Sequence, residues 1–251
     1  MSARKRHSDL LSLTAIFGLA SLGCVLIYGL RVLISGRLWY LYLVWNLALA
    51  VVPFLIAAVG STLLSHIAPG RALSIAAAPF ALLWLLFYPN APYILTDFIH
   101  VIDRTYLRAS PSEWLGINAL IWYDLLMNAV FAFIGHFMGL VSMWLVQRTL
   151  ARAWGAAASR ALVAAAILLA GFGIYLGRFS RLSSWDAIFD PQRVIAEVRD
   201  AATDPKAILF SFTFAIFIAL TYGALAAFKR VGAPDADERR TRGPRARNPG
   251  R

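Results

Sequence analysis

Six long apolar runs constrain this chain more than any other feature. They lie at about 10–34, 38–60, 73–88, a long run ending near 147, 161–177 and 207–228. A helix needs about 20 apolar residues to cross the ~30 Å hydrocarbon core of a bilayer, and each run approaches that length. The chain is 60% hydrophobic and 15% charged, whereas soluble domains are about 45–50% apolar and about 25% charged. The runs predict an all-α integral membrane bundle of about six transmembrane helices, and they exclude a soluble enzyme.

Both ends of the chain are basic. Residues 1–9 contain Arg4, Lys5 and Arg6, and residues 229–251 contain eight Lys/Arg, three acids and almost no apolar side chain. We therefore expect a short basic N-terminus, a six-span domain over 10–228 and a disordered basic tail. The tail has no stacking aromatics beside its arginines. It favours contact with anionic lipid headgroups and argues against nucleic acid as a partner.

The distribution of Lys and Arg predicts which side of the membrane each loop occupies. With six spans both termini share one side, and that side collects fifteen Lys/Arg, against nine on the other. Because short basic loops stay in the cytoplasm, both termini are expected there.

The segment after the third run, residues 87–107, predicts a break in the helix. Pro89 and Pro92 disfavour helical backbone at the residue before each of them, so the third span is expected to end near Tyr88. Asn90 can cap the helix that follows.

Beyond Pro92 the residues recur at steps of three and four. An apolar face contains Ile94, Leu95, Phe98, Ile99, Val101 and Ile102. A polar face contains Tyr93, Thr96, Asp97, His100, Asp103 and Arg104. We expect an amphipathic helix between the third and fourth spans, lying in the membrane interface or tucked into the bundle.

The fourth run follows a capping-box sequence at residues 110–113 and contains a stripe of small and polar residues. At 100° per residue the stripe joins Asp124, Asn128, Gly135, Gly139 and Ser142. Such a stripe should face the bundle, and counting back from the inner end places Asp124 at the outer boundary.

Three polar motifs therefore converge on the membrane face opposite the termini. They are the 90–104 helix, the WYD sequence at 122–124, and the segment 178–186 after the fifth run. Asp124 at this depth could pair with Arg178 or Arg181, or the two arginines could bind a phosphate or carboxylate. The candidate anion- or substrate-binding residues are Asn90, Tyr93, Thr96, Arg178, Arg181, Trp185 and Asp186.

Asp97 and His100 allow three interpretations. As neighbours on one helix face they could form a general acid–base pair, with Asp124 as a further candidate catalytic carboxylate. They could bind a metal together with Asp103 or Asp124, or they could simply face water. The chain has no nucleotide-binding loop, HExxH, CxxC or GxSxG sequence, so no cofactor or metal is expected.

Three sequences carry a resemblance to a known family: PNAPYILTDFIH, WYD and GRFSRLSSWD, in this order. On them the chain resembles a bacterial family of uncharacterised multi-pass membrane proteins, domain-of-unknown-function family 1361, over roughly residues 38–228. The resemblance implies a protein of the bacterial cytoplasmic (inner) membrane. It implies no established reaction, so it assigns no catalytic role to any residue.

The leading functional hypothesis is a periplasm-facing polar site that binds or processes an anionic lipid headgroup or an envelope intermediate. The alternative is a non-catalytic membrane partner or assembly subunit, in which the same residues hold loops on the bundle. A small-molecule transporter comes third because no internal repeat is visible.

The predicted sidedness can be tested with topology reporters. A reporter fused after Phe228 should read as cytoplasmic, and one inserted in the 103–111 loop should read as periplasmic, because of the Lys/Arg bias. A periplasmic reading at the C-terminus would contradict the prediction and move the polar face into the cytoplasm.

Overall fold

The computed structural model describes residues 3–105 and 114–231, and the side chains of 8–101 and 120–229. Within these ranges the chain is helical, with no strand. The elements are α1 (Ala3–Ser35), α2 (Leu41–Ser65), α3 (Arg71–Phe87), α4 (Asn90–Tyr93), a 3-10 turn (Ile94–Asp97), α5 (Phe98–Thr105), α6 (Trp114–Trp154), α7 (Ala156–Phe179), α8 (Asp186–Phe189), α9 (Pro191–Thr203) and α10 (Pro205–Val231).

Six helical stretches in the described part are long and apolar enough to cross a membrane. They are Ser8–Ser35, Leu41–Ser65, Arg71–Val101, Leu120–Trp154, Ala156–Phe179 and Pro205–Lys229. The predicted all-α, multi-pass architecture is confirmed. The third and fifth stretches extend well beyond the apolar runs at 73–88 and 161–177.

Helix α6 forms the centre of the bundle. It packs against α1, α2, α3 and α7, while α10 packs mainly on α7. Its 41 residues make it about 60 Å long, roughly twice the hydrocarbon thickness. The predicted small-and-polar stripe is buried, as expected, over its whole length: Asp124, Asn128, Gly135, Gly139 and Ser142.

Two glycines of this stripe bring α6 close to the segment after α3. A Cβ on Gly139 would lie 2.8 Å from the Cβ of Ala91, and one on Gly135 would lie 2.9 Å from Cγ2 of Ile94. Helices in membranes approach this closely where small residues replace bulky ones. α4 and the 3-10 turn therefore rest directly on the backbone of α6.

α3 ends at Phe87, in agreement with the predicted helix end near Tyr88, but the backbone before Pro89 is not displaced from the helical region as predicted. Tyr88 is helical, with φ −56° and ψ −40°. Its N–H donates to the carbonyl oxygen of Trp84 at 2.8 Å, and the N–H of Ala91 donates to that of Tyr88 at 3.1 Å. Inside a bundle an unpaired backbone group costs several kcal/mol, so the helical bonds persist around the prolines. The prolines interrupt the helix between α3 and α4 without unwinding it.

The segment after Pro92 tucks into the bundle, and its buried residues come from both predicted faces. Ile94 and Val101 of the apolar face are buried, and so is Asp97 of the polar face, whereas Ile99 is exposed. The separation into one apolar and one polar face therefore does not hold at Asp97 and Ile99. The predicted roles of the Asp103 and Arg104 side chains, and of the capping box at 110–113, fall outside what the structure describes.

The ends of the spans also differ from the sequence estimate. The fourth and fifth spans are joined by a turn at Gly155, whose φ is +88°, so Arg148 and Arg152 belong to α6 rather than to a loop. α1 begins at Ala3, inside the predicted N-terminal segment, and α10 continues to Val231. The remainder of the predicted tail lies outside the described residues.

Close packing of α7 on α10 gives a stability prediction. A Cβ on Gly171 would lie 2.2 Å from the backbone oxygen of Ser211, so Gly171→Ala must push the two helices apart. Overpacking of this kind costs roughly 1–3 kcal/mol, and the melting temperature in detergent should fall. Gly223→Ala is the matched control, because a Cβ there would meet nothing within 4 Å. Equal melting temperatures for the two variants would contradict the packing.

Candidate functional site

The first polar cluster joins the C-terminal end of the first span to the N-terminal end of the fourth. Nε and Nη2 of Arg31 donate to the two carboxylate oxygens of Asp124, the second at 3.0 Å. The hydroxyl of Tyr40 donates to Oδ2 of the same carboxylate at 2.8 Å. Arg31 and Asp124 are both buried. This two-pronged contact is the strong geometry for an arginine and a carboxylate.

The expected pairing of Asp124 with Arg178 or Arg181 is therefore wrong. Asp124 lies near the start of the fourth membrane-spanning stretch, but α1 contacts α6 and supplies the cation. Arg31 was not among the predicted site residues. Its position near the end of an apolar run was a signal, since an ionisable residue inside a span needs a buried partner.

The second cluster surrounds Asp97. The side-chain amide of Asn46 donates to its Oδ2 at 2.7 Å, and Nη1 of Arg178 lies 3.8 Å from its Oδ1. Nη2 of Arg178 lies 3.2 Å from Nε2 of His100. Arg178 thus bridges the two residues predicted as an acid–base pair. Asn46 of α2, which was not among the predicted site residues, completes the cluster.

The contact with Arg178 uses one ring nitrogen of His100. A guanidinium has donors and no acceptor, so in this hydrogen bond Nε2 of His100 accepts. The imidazole ring also packs on Tyr42, with ring centroids 4.6 Å apart. While Arg178 holds this position, Nε2 is not available to take a proton from another group.

A cavity of about 470 Å³ lies beside the second cluster. Asn46 lines it and also bonds Asp97, so one side chain joins the cavity to the cluster. The polar part of its wall comprises Asn46, Asn90, Tyr93, Arg181, Ser183 and Ser184. The apolar part includes Leu49, Leu85, Leu86, Leu176, Leu182 and Val194. The cavity therefore has an amphipathic wall.

Arg181 reaches the cavity from an unusual backbone position. Its φ is +55°, a left-handed conformation that usually belongs to glycine after a helix. The turn lets the N–H of Leu182 donate to the carbonyl oxygen of Leu176 at 3.3 Å. Across the described residues no carboxylate forms an ion pair with Arg181.

Asn90 connects the cavity wall to the segment after α7. The prediction that Asn90 caps the following helix is wrong, because Asn90 is the first residue of α4 and Pro89 stands at the cap position. The side-chain amide of Asn90 donates to the hydroxyl of Ser184 at 3.2 Å, and that hydroxyl donates to the carbonyl oxygen of Leu86 at 2.9 Å. Tyr93 packs on α7 at Gly177, where a Cβ would lie 3.1 Å from its ring.

The other predicted site residues lie outside the two clusters. The hydroxyl of Thr96 donates to the carbonyl oxygen of Tyr93 at 2.8 Å. Trp185 is half exposed and packs edge-on against Phe87. Asp186 accepts bonds from the N–H and the hydroxyl of Ser183, which hold the pKa of this carboxyl below its usual value. Among the described residues, no three His, Cys, Asp or Glu lie together as metal ligands.

The assignment of Asp124 to Arg31 can be tested by a double-mutant cycle on thermal stability in detergent. Asp124→Asn and Arg31→Gln should each cost roughly 3–5 kcal/mol, because each leaves a buried charge without its partner. The double variant should cost less than the sum of the two.

The control cycle combines Asp124→Asn with Arg178→Gln. Arg178 contacts Asp97 and His100 instead, so these two changes should be additive. Additivity in the first cycle, or coupling in the second, would contradict the pairing.

Comparison with known proteins gives one family match. The family model described as "Protein of unknown function (DUF1361)" matches residues 45–221, a range that contains Asp97, Asp124, Arg178 and Arg181 but not Arg31. No curated protein and no solved structure matches the chain. With the match covering most of the chain and six helices able to span a membrane, the protein belongs to the DUF1361 family of multi-pass membrane proteins.

Proposed function

We propose that this membrane protein binds an anionic amphiphile in the cavity beside Asn90. The ligand class is a lipid headgroup or an envelope intermediate that carries a phosphate or carboxylate. The observation that carries the proposal is the composition of the cavity wall, which combines a cation that forms no ion pair among the described residues with hydroxyl, amide and aliphatic groups.

The polar part of the wall suits an anion. A guanidinium can give two parallel hydrogen bonds to a phosphate or carboxylate. Ser183 and Ser184 follow Arg181 closely in the chain, and all three line the cavity. Their hydroxyls can donate to the remaining oxygens of the ligand. The left-handed backbone at Arg181 is of the kind that concentrates at binding sites.

The apolar part of the wall suits a hydrocarbon chain. Leu49 of α2, Leu85 of α3 and Leu176 of α7 belong to three membrane-spanning stretches. A ligand with its anionic group at Arg181 could lay a chain against these leucines. Binding sites of this size are usually apolar, with a few placed polar groups that set the orientation.

The two buried clusters favour a structural role for some of the predicted catalytic residues. Asp97 and Asp124 each bond to a residue of another helix, and Arg178 occupies Nε2 of His100. This supports the alternative hypothesis for these residues, in which they lock segments onto the bundle.

A catalytic role for Asp97 and His100 stays a prediction. In an enzyme Asp97→Asn should abolish function while the protein still accumulates in the membrane. If Asp97 instead only holds its segment on the bundle, Asp97→Asn should lower the amount of protein that accumulates in the membrane. The periplasmic orientation of the cavity is likewise proposed from the charge bias alone.

Ligand binding can be tested by native mass spectrometry of the purified protein titrated with phosphatidylglycerol, an isoprenyl phosphate, phosphatidylcholine and inorganic phosphate. The two anionic amphiphiles should bind more tightly than phosphatidylcholine. Arg181→Gln should weaken their binding by roughly tenfold or more, since a bond to a charged group is worth about 1.5–3 kcal/mol.

Arg199→Gln is the matched control, because the Arg199 side chain is 86% exposed on α9. Preference for the isoprenyl phosphate would indicate an envelope intermediate, and preference for phosphatidylglycerol a bilayer lipid. Binding of inorganic phosphate alone, or equal binding by the wild type and Arg181→Gln, would contradict the proposal.

A further inference from the structure

The segment between α7 and α10 exposes an unusual amount of apolar surface. Phe189 is 80% exposed and Ile195 is 68% exposed. Ile188 and Val198 are exposed as well. A loop surrounded by water would instead present mainly polar side chains, and a contiguous exposed apolar patch marks a contact with a membrane or another protein.

α9 has three distinct faces at 100° per residue. Val194 and Ala201 face the protein, since the first lines the cavity and the second is buried. Ile195 and Val198 form an apolar flank beside them. The side away from both carries the exposed Ala196 and Asp200, with Asp200 turned about 140° from Ile195, whereas Gln192 and Arg199 lie at the border of the apolar flank. This is the pattern of a helix that contacts protein, an apolar medium and water on separate sides.

The attachments of α9 set its depth. Nη2 of Arg193 donates to the carbonyl oxygen of Ser180 at 3.2 Å, just past the end of α7. At its other end, Asp204 alone separates α9 from α10. α7 and the first part of α10 are membrane-spanning stretches. A helix that bridges the ends of two spans lies at the boundary between hydrocarbon and water.

We propose that α8 and α9 lie in the membrane surface, with Phe189, Ile195 and Val198 inserted among the lipids of the leaflet at the cavity face. Interfacial helices bury an apolar side about 5–10 Å into the headgroup boundary and leave their charged side in water. The exposed Phe179 of α7 and the exposed Leu209 and Phe212 of α10 continue this apolar surface along the spans. That continuity favours lipid as the occupant over a protein partner.

The placement has a consequence for the cavity. Ala187 of α8 and Val194 of α9 form part of its wall. A wall that sits among lipids gives the cavity an edge against the bilayer, so an amphiphile could enter sideways without crossing water.

Site-directed spin labelling in phospholipid vesicles tests the placement without any ligand. The chain has a single cysteine, Cys24, and Cys24→Ala provides the background. Labels are attached through Ile195→Cys and Phe189→Cys, with Asp200→Cys as the control on the polar side of α9. Accessibility is measured to oxygen, which concentrates in lipid, and to a water-soluble nickel chelate.

Labels at 195 and 189 should collide severalfold more with oxygen than with the nickel chelate, and the label at 200 should show the reverse. High nickel accessibility at 195 and 189 would overturn the proposal in favour of a water-exposed loop. Low accessibility to both reagents would overturn it in favour of contact with a second copy of the chain. Two labelled positions, 195 and 189, are used so that the test still stands if one of the two variants fails to fold. Because no lipid titration is involved, failure here is separate from failure of anion binding at Arg181.

Discussion

The architecture of the site depends on the contact between the proline-interrupted segment and the glycines of α6. Gly135 and Gly139 leave room for Ala91 and Ile94 to rest on the α6 backbone. This contact draws the start of the 3-10 turn into the bundle and turns Asp97 inward, within reach of Asn46 and Arg178. A larger side chain at either glycine would displace the segment, and with it one wall of the cavity.

Burying two carboxylates so close to hydrocarbon is costly unless each is paired. The protein places an arginine beside both of them, Arg31 beside Asp124 and Arg178 beside Asp97. In each case a neutral donor completes the contact, from Tyr40 or from Asn46. The two clusters link α1, α2, α6, α7 and the segment after α3 at one membrane face. The cavity lies at the same end of the bundle, opposite the start of α1 and the end of α10.

The two arginines near the end of α7, Arg178 and Arg181, have different surroundings. Arg178 is held between Asp97 and His100, whereas Arg181 lines the cavity and forms no ion pair in the described part of the chain. The sequence treated them as one anion clamp. The structure separates them because α7 ends between the two, and the left-handed backbone at Arg181 turns the chain away from the helix axis.

The sequence by itself determined the number of spans, the all-α class, the family and the buried stripe of α6, because apolar length and helical period are local properties of the chain. It also located Asp97, Asp124, Arg178 and Arg181 on one face through chain order alone. Only the tertiary structure decided which charges pair. Residues 31 and 124, or 97 and 178, are far apart in sequence, and their contact depends on which helices pack side by side. The helical backbone at Tyr88 was likewise decided by burial, because the local preference before a proline is for extended backbone, which would leave buried backbone groups unpaired.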